Sequence, residues 1–169
     1  LAQHYRAPTR LLDWTRSPWV ALYMAVADQH EKGGRVWFVR RSACNELCPL
    51  GFEEDPLPNS RLLTQQGLFS VIRCDSSLHK SHKSVLEEKL GEPTKIDPKS
   101  DAIVGDIEPA WGYFKIPKAT TRKGRDGKPR GLKQALMRRL MAMNICGRTL
   151  FPDLDGIALG TRDFVRSHR

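Results

Sequence analysis

The thirteen residues from Gln3 to Thr15 hold the densest mixture of reactive side-chain types in the chain. His4 offers an imidazole, Arg10 a guanidinium, Asp13 a carboxylate, Gln3 an amide and Thr9 a hydroxyl, with Tyr5 and Trp14 among them. A guanidinium beside an imidazole suits a phosphate, and a carboxylate beside both suits charge stabilisation or proton transfer. The cluster runs into Ser17-Pro18, a favourable start for a helix, and the free N–H groups of a helix start favour anions. Gln3, His4, Thr9 and Arg10 are therefore candidate ligand-binding residues for a nucleotide or another phosphate-bearing ligand. A structural reading competes with this one. Side chains alternate along a strand, so Arg10 and Asp13 would face opposite sides and could each serve neighbouring backbone. Both readings stand on the sequence.

Two further groupings are weaker. Phe151-Pro-Asp-Leu-Asp-Gly156 sets Asp153 and Asp155 at the start of a predicted helix, where acids complement the dipole, so capping is expected ahead of metal binding. Cys44, Cys48, Cys74, His79 and His82 contain zinc-ligating atoms, but the gap after Cys48 has no knuckle pattern, so no metal is expected. There is no Walker loop, nucleophile elbow or Gly-x-Gly-x-x-Gly run.

These residues must be positioned by a fold of ordinary size. With 169 residues, 40% hydrophobic and 28% charged, the chain fits one globular domain. No apolar run approaches the roughly 18 residues of a membrane span, and the four cysteines are irregularly spaced, so a cytoplasmic location with reduced thiols is expected. The basic excess of 28 Lys+Arg over 19 Asp+Glu is concentrated, with ten basic residues and a single acid from Lys115 to Arg139. Such a stretch attracts nucleic acid through counterion release, or is a solvated loop.

The elements read as follows. Thr9–Thr15 is a strand, and Pro18–Glu31 a helix apolar on most sides that ends at Gly33-Gly34. Arg35–Arg40 is a second strand, giving a strand–helix–strand order and an α/β class, with a small mixed sheet covered by helices. Three prolines and an acidic trio predict an irregular loop over 42–60. Strands are expected at 67–72 and 112–116, and a short helix over 84–90 ending at Gly91. A basic, glycine-containing flexible loop should fill about 118–131. An amphipathic helix then begins at Leu132 and a last one after Pro152.

Gln3-His4-Tyr5 followed by Pro8-Thr-Arg-Leu-Leu-Asp-Trp-Thr15 closely resembles the signature of the FRG domain family. Arg61-Leu-Leu-Thr-Gln-Gln-Gly-Leu-Phe69 is similar to that family's central block, and Thr149-Leu-Phe-Pro-Asp-Leu-Asp-Gly156 to its closing block. The resemblance thus spans a single FRG-type domain over 1–169, with Arg6 where the family has Gly. The Phe-Arg-Gly element itself is missing, so an N-terminally truncated domain is expected. The family is met in bacterial and phage proteins, and its motif order is similar to that of ADP-ribosyltransferases. By that analogy the fold is ADP-ribosyltransferase-like and the cofactor NAD, in a toxin or phage-defence effector. His4 and the missing Arg would hold the dinucleotide, and Gln65 or Gln66 would lie near the reacting sugar. A carboxylate stabilises the positive ribose better than an amide, which gives Asp13 a catalytic part. Trp14 and Pro18 are expected to be structural. A non-catalytic recognition module and a nucleic-acid-binding module are the alternatives, and whether the chain is an enzyme stays open.

Overall fold

The structure is a computed structural model and describes residues 11–27, 33–44, 50–53, 60–72, 81–96, 109–117, 122–123 and 129–168. In chain order these form β1 (Leu12–Thr15), α1 (Pro18–Ala27), β2 (Gly34–Val39), β3 (Leu50–Glu53), α2 (Ser60–Gln65), β4 (Gly67–Ile72) and α3 (His82–Leu90). There follow β5 (Thr94–Ile96), β6 (Trp111–Ile116), β7 (Arg122–Lys123), β8 (Pro129–Arg130), α4 (Leu132–Ala142), α5 (Gly147–Leu150) and α6 (Leu154–His168). Two three-stranded sheets have the orders β1-β4-β3 and β2-β6-β5, and β7 pairs with β8. β3 runs antiparallel to β4 and β5 parallel to β6, so the class is mixed α/β, as the sequence predicts.

The start of α1 follows the expected chemistry. Ser17 Oγ accepts from the Val20 N–H at 3.4 Å, and Pro18 takes the first helical position, where its missing N–H costs nothing. Although the helix is apolar on most sides, burial follows one face only. Val20, Tyr23 and Val26 are buried, but Trp19 is 50% and Met24 42% exposed. One face at helical spacing meets the core, and the alanines beside it satisfy the apolar pattern without filling it. The helix is described to Ala27, and residues 28–31 of its expected span lie outside the described residues.

Two elements depart from the sequence reading. The loop expected over 42–60 contains β3, whose Leu50-Gly-Phe-Glu53 pairs with Phe69–Ile72. A four-residue strand fits between the prolines because its pairing partner, β4, comes from farther along the chain. Helix α2, over Ser60–Gln65, was also not foreseen. Within the glycine-containing basic segment, Arg122–Lys123 pairs antiparallel with Pro129–Arg130.

The chain divides into two compact units, one of residues 1–14, 37–56 and 67–114, the other of 15–36, 57–66 and 115–169. In the second, Val20, Tyr23 and Val26 of α1 pack with Ile116, Met137, Leu140 and Leu150. Met137 and Leu140 are the buried positions of α4, which accounts for its amphipathic pattern. In the first unit, Ile72, Val85, Leu86 and Trp111 form a smaller core. Trp37 lies 5.7 Å from Trp111 and 4.8 Å from Tyr113, ring centre to ring centre, and Trp111 Nε1 donates to the Gly91 carbonyl at 2.9 Å. Buried indoles need such a partner for the N–H. Gly91 also ends α3 where the sequence expects it, and Ser81 caps its start, its hydroxyl accepting from Ser84 N–H at 3.1 Å.

Candidate functional site

Residues of the three sequence blocks meet at one place in the second unit. Thr15 Oγ1 donates to the Gln65 carbonyl at 2.7 Å and accepts from the Ser17 N–H at 3.0 Å. The Arg16 N–H donates to the Gln66 carbonyl at 3.1 Å. Gln65 Nε2 in turn reaches the Leu150 carbonyl at 3.0 Å, and the Arg61 guanidinium sits 4.5 Å above the Phe151 ring. The end of β1, the α2–β4 turn and the end of α5 are thereby tied together.

The arrangement explains what these polar residues do locally. Leu150 is the last residue of a four-residue helix, so its carbonyl lacks an intrahelical donor, and the Gln65 amide supplies one. Gln66 is exposed at φ 49°, its N–H on the Leu63 carbonyl, and it turns the chain from α2 into β4. Both glutamines use a backbone or amide group to hold the fold. Trp14, expected to be structural, donates from Nε1 to the Oγ of fully buried Ser70 at 2.7 Å in the first unit and meets Phe52 edge-on. Asp13 lies exposed on β1. Gln3, His4, Thr9 and Arg10 lie outside the described residues.

At the closing block, Asp153 Oδ1 accepts from the Gly156 N–H at 3.1 Å, the capping geometry expected of it, and Asp155 lies in the first turn of α6. Among the cysteines and histidines considered for zinc, Cys44 packs beside the smaller core and His82 Nε2 lies 3.2 Å from the Ser70 carbonyl. Cys48, Cys74 and His79 lie outside the described residues, among which no three metal-binding side chains gather.

Sequence reasoning missed one buried polar centre in the second unit. Asp163, fully buried on α6, accepts through Oδ2 from Tyr23 Oη at 2.8 Å and from the Gly147 N–H at 2.9 Å. Burial and the Asp163 carboxylate push the Tyr23 hydroxyl far above its usual range. Among the described residues nothing donates to Oδ1. A signal was present, since a tyrosine on a buried helix face needs a partner for its hydroxyl. No pattern in the sequence pointed to a residue 140 positions away.

Comparison with known families bears on the start of the chain. Residues 1–33 match the FRG domain. The FRG match covers the first block, with Gln3, His4, Thr9, Arg10 and Asp13, and runs through the Pro18 helix start. The other two FRG-like blocks, at 61–69 and 149–156, lie beyond it. No curated protein and no solved structure matches the chain. Among the described residues no helix is long and apolar enough to cross a membrane.

Proposed function

We propose that the chain binds a phosphate-bearing ligand and that its second unit is built for a nucleic-acid strand. The observation behind this is the partition of charge. The second unit contains 18 Lys+Arg against 6 Asp+Glu, whereas the first contains 10 against 13. The whole basic excess of the chain thus falls in one compact unit. Lys115, Arg139 and Arg148 are exposed there, and β7 and β8 set Arg122 opposite Arg130 and Lys123 opposite Pro129 in one short ladder. A cationic unit of this kind gains affinity for a polyanion by releasing its counterions, and a single nucleotide releases fewer.

The test is fluorescence anisotropy of a labelled 20-nucleotide strand over a salt series, beside NAD and a neutral peptide. The strand should bind more tightly than NAD, with log K falling linearly against log salt. Equal or weaker binding of the strand, or binding indifferent to salt, refutes the reading.

A second reading rests on the FRG match. It places His4, Arg10 and Asp13 in a dinucleotide site with NAD as cofactor and ADP-ribosyl transfer as chemistry. The Gln65 amide is held on the Leu150 carbonyl, so any stabilisation of a cationic ribose falls to Asp13. Nicotinamide release from NAD, lost in Asp13→Asn, supports this reading. Absence of release from the unaltered chain in the presence of candidate acceptors counts against it.

A further inference from the structure

Three of the four tryptophans are used by the fold of the first unit. Trp14 donates to Ser70, Trp111 donates to the Gly91 carbonyl, and Trp37 lies against Trp111 and Tyr113. Trp19, the one tryptophan of the second unit, is used differently. It is half exposed, and among the described residues its indole has neither a hydrogen bond nor an aromatic neighbour. A single exposed apolar side chain is ordinary, so the surroundings of Trp19 decide what it means. The start of α1 is tied to two other segments. Thr15 and Arg16 are bonded to the carbonyls of Gln65 and Gln66 at the α2–β4 turn, and Gln65 to the carbonyl of Leu150 at the end of α5. Each of the three tied segments brings an arginine. Exposed Arg16 comes three residues before Trp19, Arg61 one turn before Gln65 is held over the Phe151 ring, and exposed Arg148 lies on α5. The acids next in sequence serve α6, Asp153 as its cap and Asp155 in its first turn.

We infer that Trp19 is the platform on which a base of a single-stranded nucleic acid stacks, with the backbone phosphates falling to Arg16, Arg61 and Arg148. This rests on the reading of the second unit as a strand-binding surface and gives that surface its substrate class. A flat apolar ring with cations around it matches a partner that offers flat bases and anionic phosphates together. Guanidinium groups suit the phosphates because their fork of donors can grip two oxygens at once. A duplex matches the arginines alone, since its bases are already stacked on one another and present only their edges in the grooves. Stacking on an indole also tolerates any base, so the surface selects for an unpaired strand rather than for a sequence.

Anisotropy of two labelled probes with the full chain tests this: a 20-nucleotide DNA strand, and a strand of the same length built of abasic sites, which keeps the phosphates and lacks the bases. The base-bearing strand should bind roughly tenfold more tightly. Trp19→Ala should remove that advantage while leaving the abasic strand's affinity, the salt slope and the thermal midpoint nearly unchanged. Trp19→Phe should recover most of the loss, because a flat ring suffices. If Trp19→Ala binds the base-bearing strand as tightly as the unaltered chain does, the inference is overturned and the strand-binding reading survives. A loss that extends equally to the abasic strand, or that Trp19→Phe does not recover, also overturns it. Displacement of the strand by AMP at the same nucleotide concentration assigns the ring to a free nucleotide, with the same result. If neither strand binds, the inference and the reading beneath it fall together.

Discussion

Tyr23 and Asp163 form a hydrogen-bonded pair whose energetics can be read from pH. In the unfolded chain a tyrosine loses its proton as pH rises through about 10. In the folded chain burial and the facing carboxylate hold the proton to higher pH. The folded state therefore binds more protons above pH 10, so this contribution is fully present below that pH and is lost as pH rises further. Tyr23→Phe should be less stable than the unaltered chain at pH 8, by about 1–3 kcal/mol for a hydrogen bond to a charged group. The difference should shrink by pH 11, as measured by urea unfolding at each pH, and a constant difference would contradict the assignment. Gln65 yields the second prediction at this scale. Gln65→Ala removes the donor to the Leu150 carbonyl and should lower stability by about 1 kcal/mol. If its amide served a reacting sugar alone, the thermal midpoint would not move.

The contact of α5 with α6 depends on close approach of the two helices. A methyl group on Gly156 would strike the Phe151 carbonyl oxygen, one on Gly147 the Leu159 side chain, and one on Gly160 would lie 2.8 Å from Arg148 Cβ. Within a helix, Gly→Ala is ordinarily favourable by about 1 kcal/mol. Here the obstacle at Gly156 is backbone, which cannot swing aside as a long side chain can. Gly156→Ala should therefore reverse the usual sign and destabilise by roughly 1–3 kcal/mol, the range for overpacked sites. Chemical denaturation of this variant measures it, and a stabilised variant would mean that α6 does not lie so close to Phe151. The same closeness accounts for Leu154 and Ile157 of α6 lying exposed. Glycines admit the neighbouring backbone, and Asp163 anchors the helix through Tyr23 and Gly147, so the larger apolar side chains are not needed on the inner face.

For the molecule as a whole, the separation of charge between the units makes a directional prediction. Arg139→Glu with Arg148→Glu, both exposed in the cationic unit, should weaken strand binding and flatten its salt dependence. On duplex DNA each lost phosphate contact removes about 0.9 from the slope of log K against log salt. In the other unit, Lys83 pairs with Glu87 at 2.9 Å and Lys89 with Glu88 at 3.6 Å, so these cations are already partly neutralised. Lys83→Glu with Lys89→Glu should leave the slope nearly unchanged. Anisotropy titrations of both variants at three salt concentrations compare the two, and equal losses would refute the separation.

What the sequence determined by itself is local. Ser17-Pro18 starts α1, Ser81 and Gly91 bound α3, Asp153 caps α6, and the repeat of Leu132, Leu136 and Leu140 makes α4 amphipathic, because caps and periodicity act within a few residues. The FRG block at the start was legible for a different reason, since a run of residue types is recognised without its fold. The tertiary structure decided which polar groups meet. Gln65 could not be seen to serve Leu150, nor Tyr23 to meet Asp163, because hydrogen bonds between residues 85 and 140 positions apart leave no periodic trace. It also decided which apolar faces are covered. β3 exists because β4 supplies its partner, Trp19 is half exposed although its neighbour Val20 is buried, and α6 turns its small and acidic side inward. Hydrophobic periodicity records that a face is apolar, and burial depends on what packs against it.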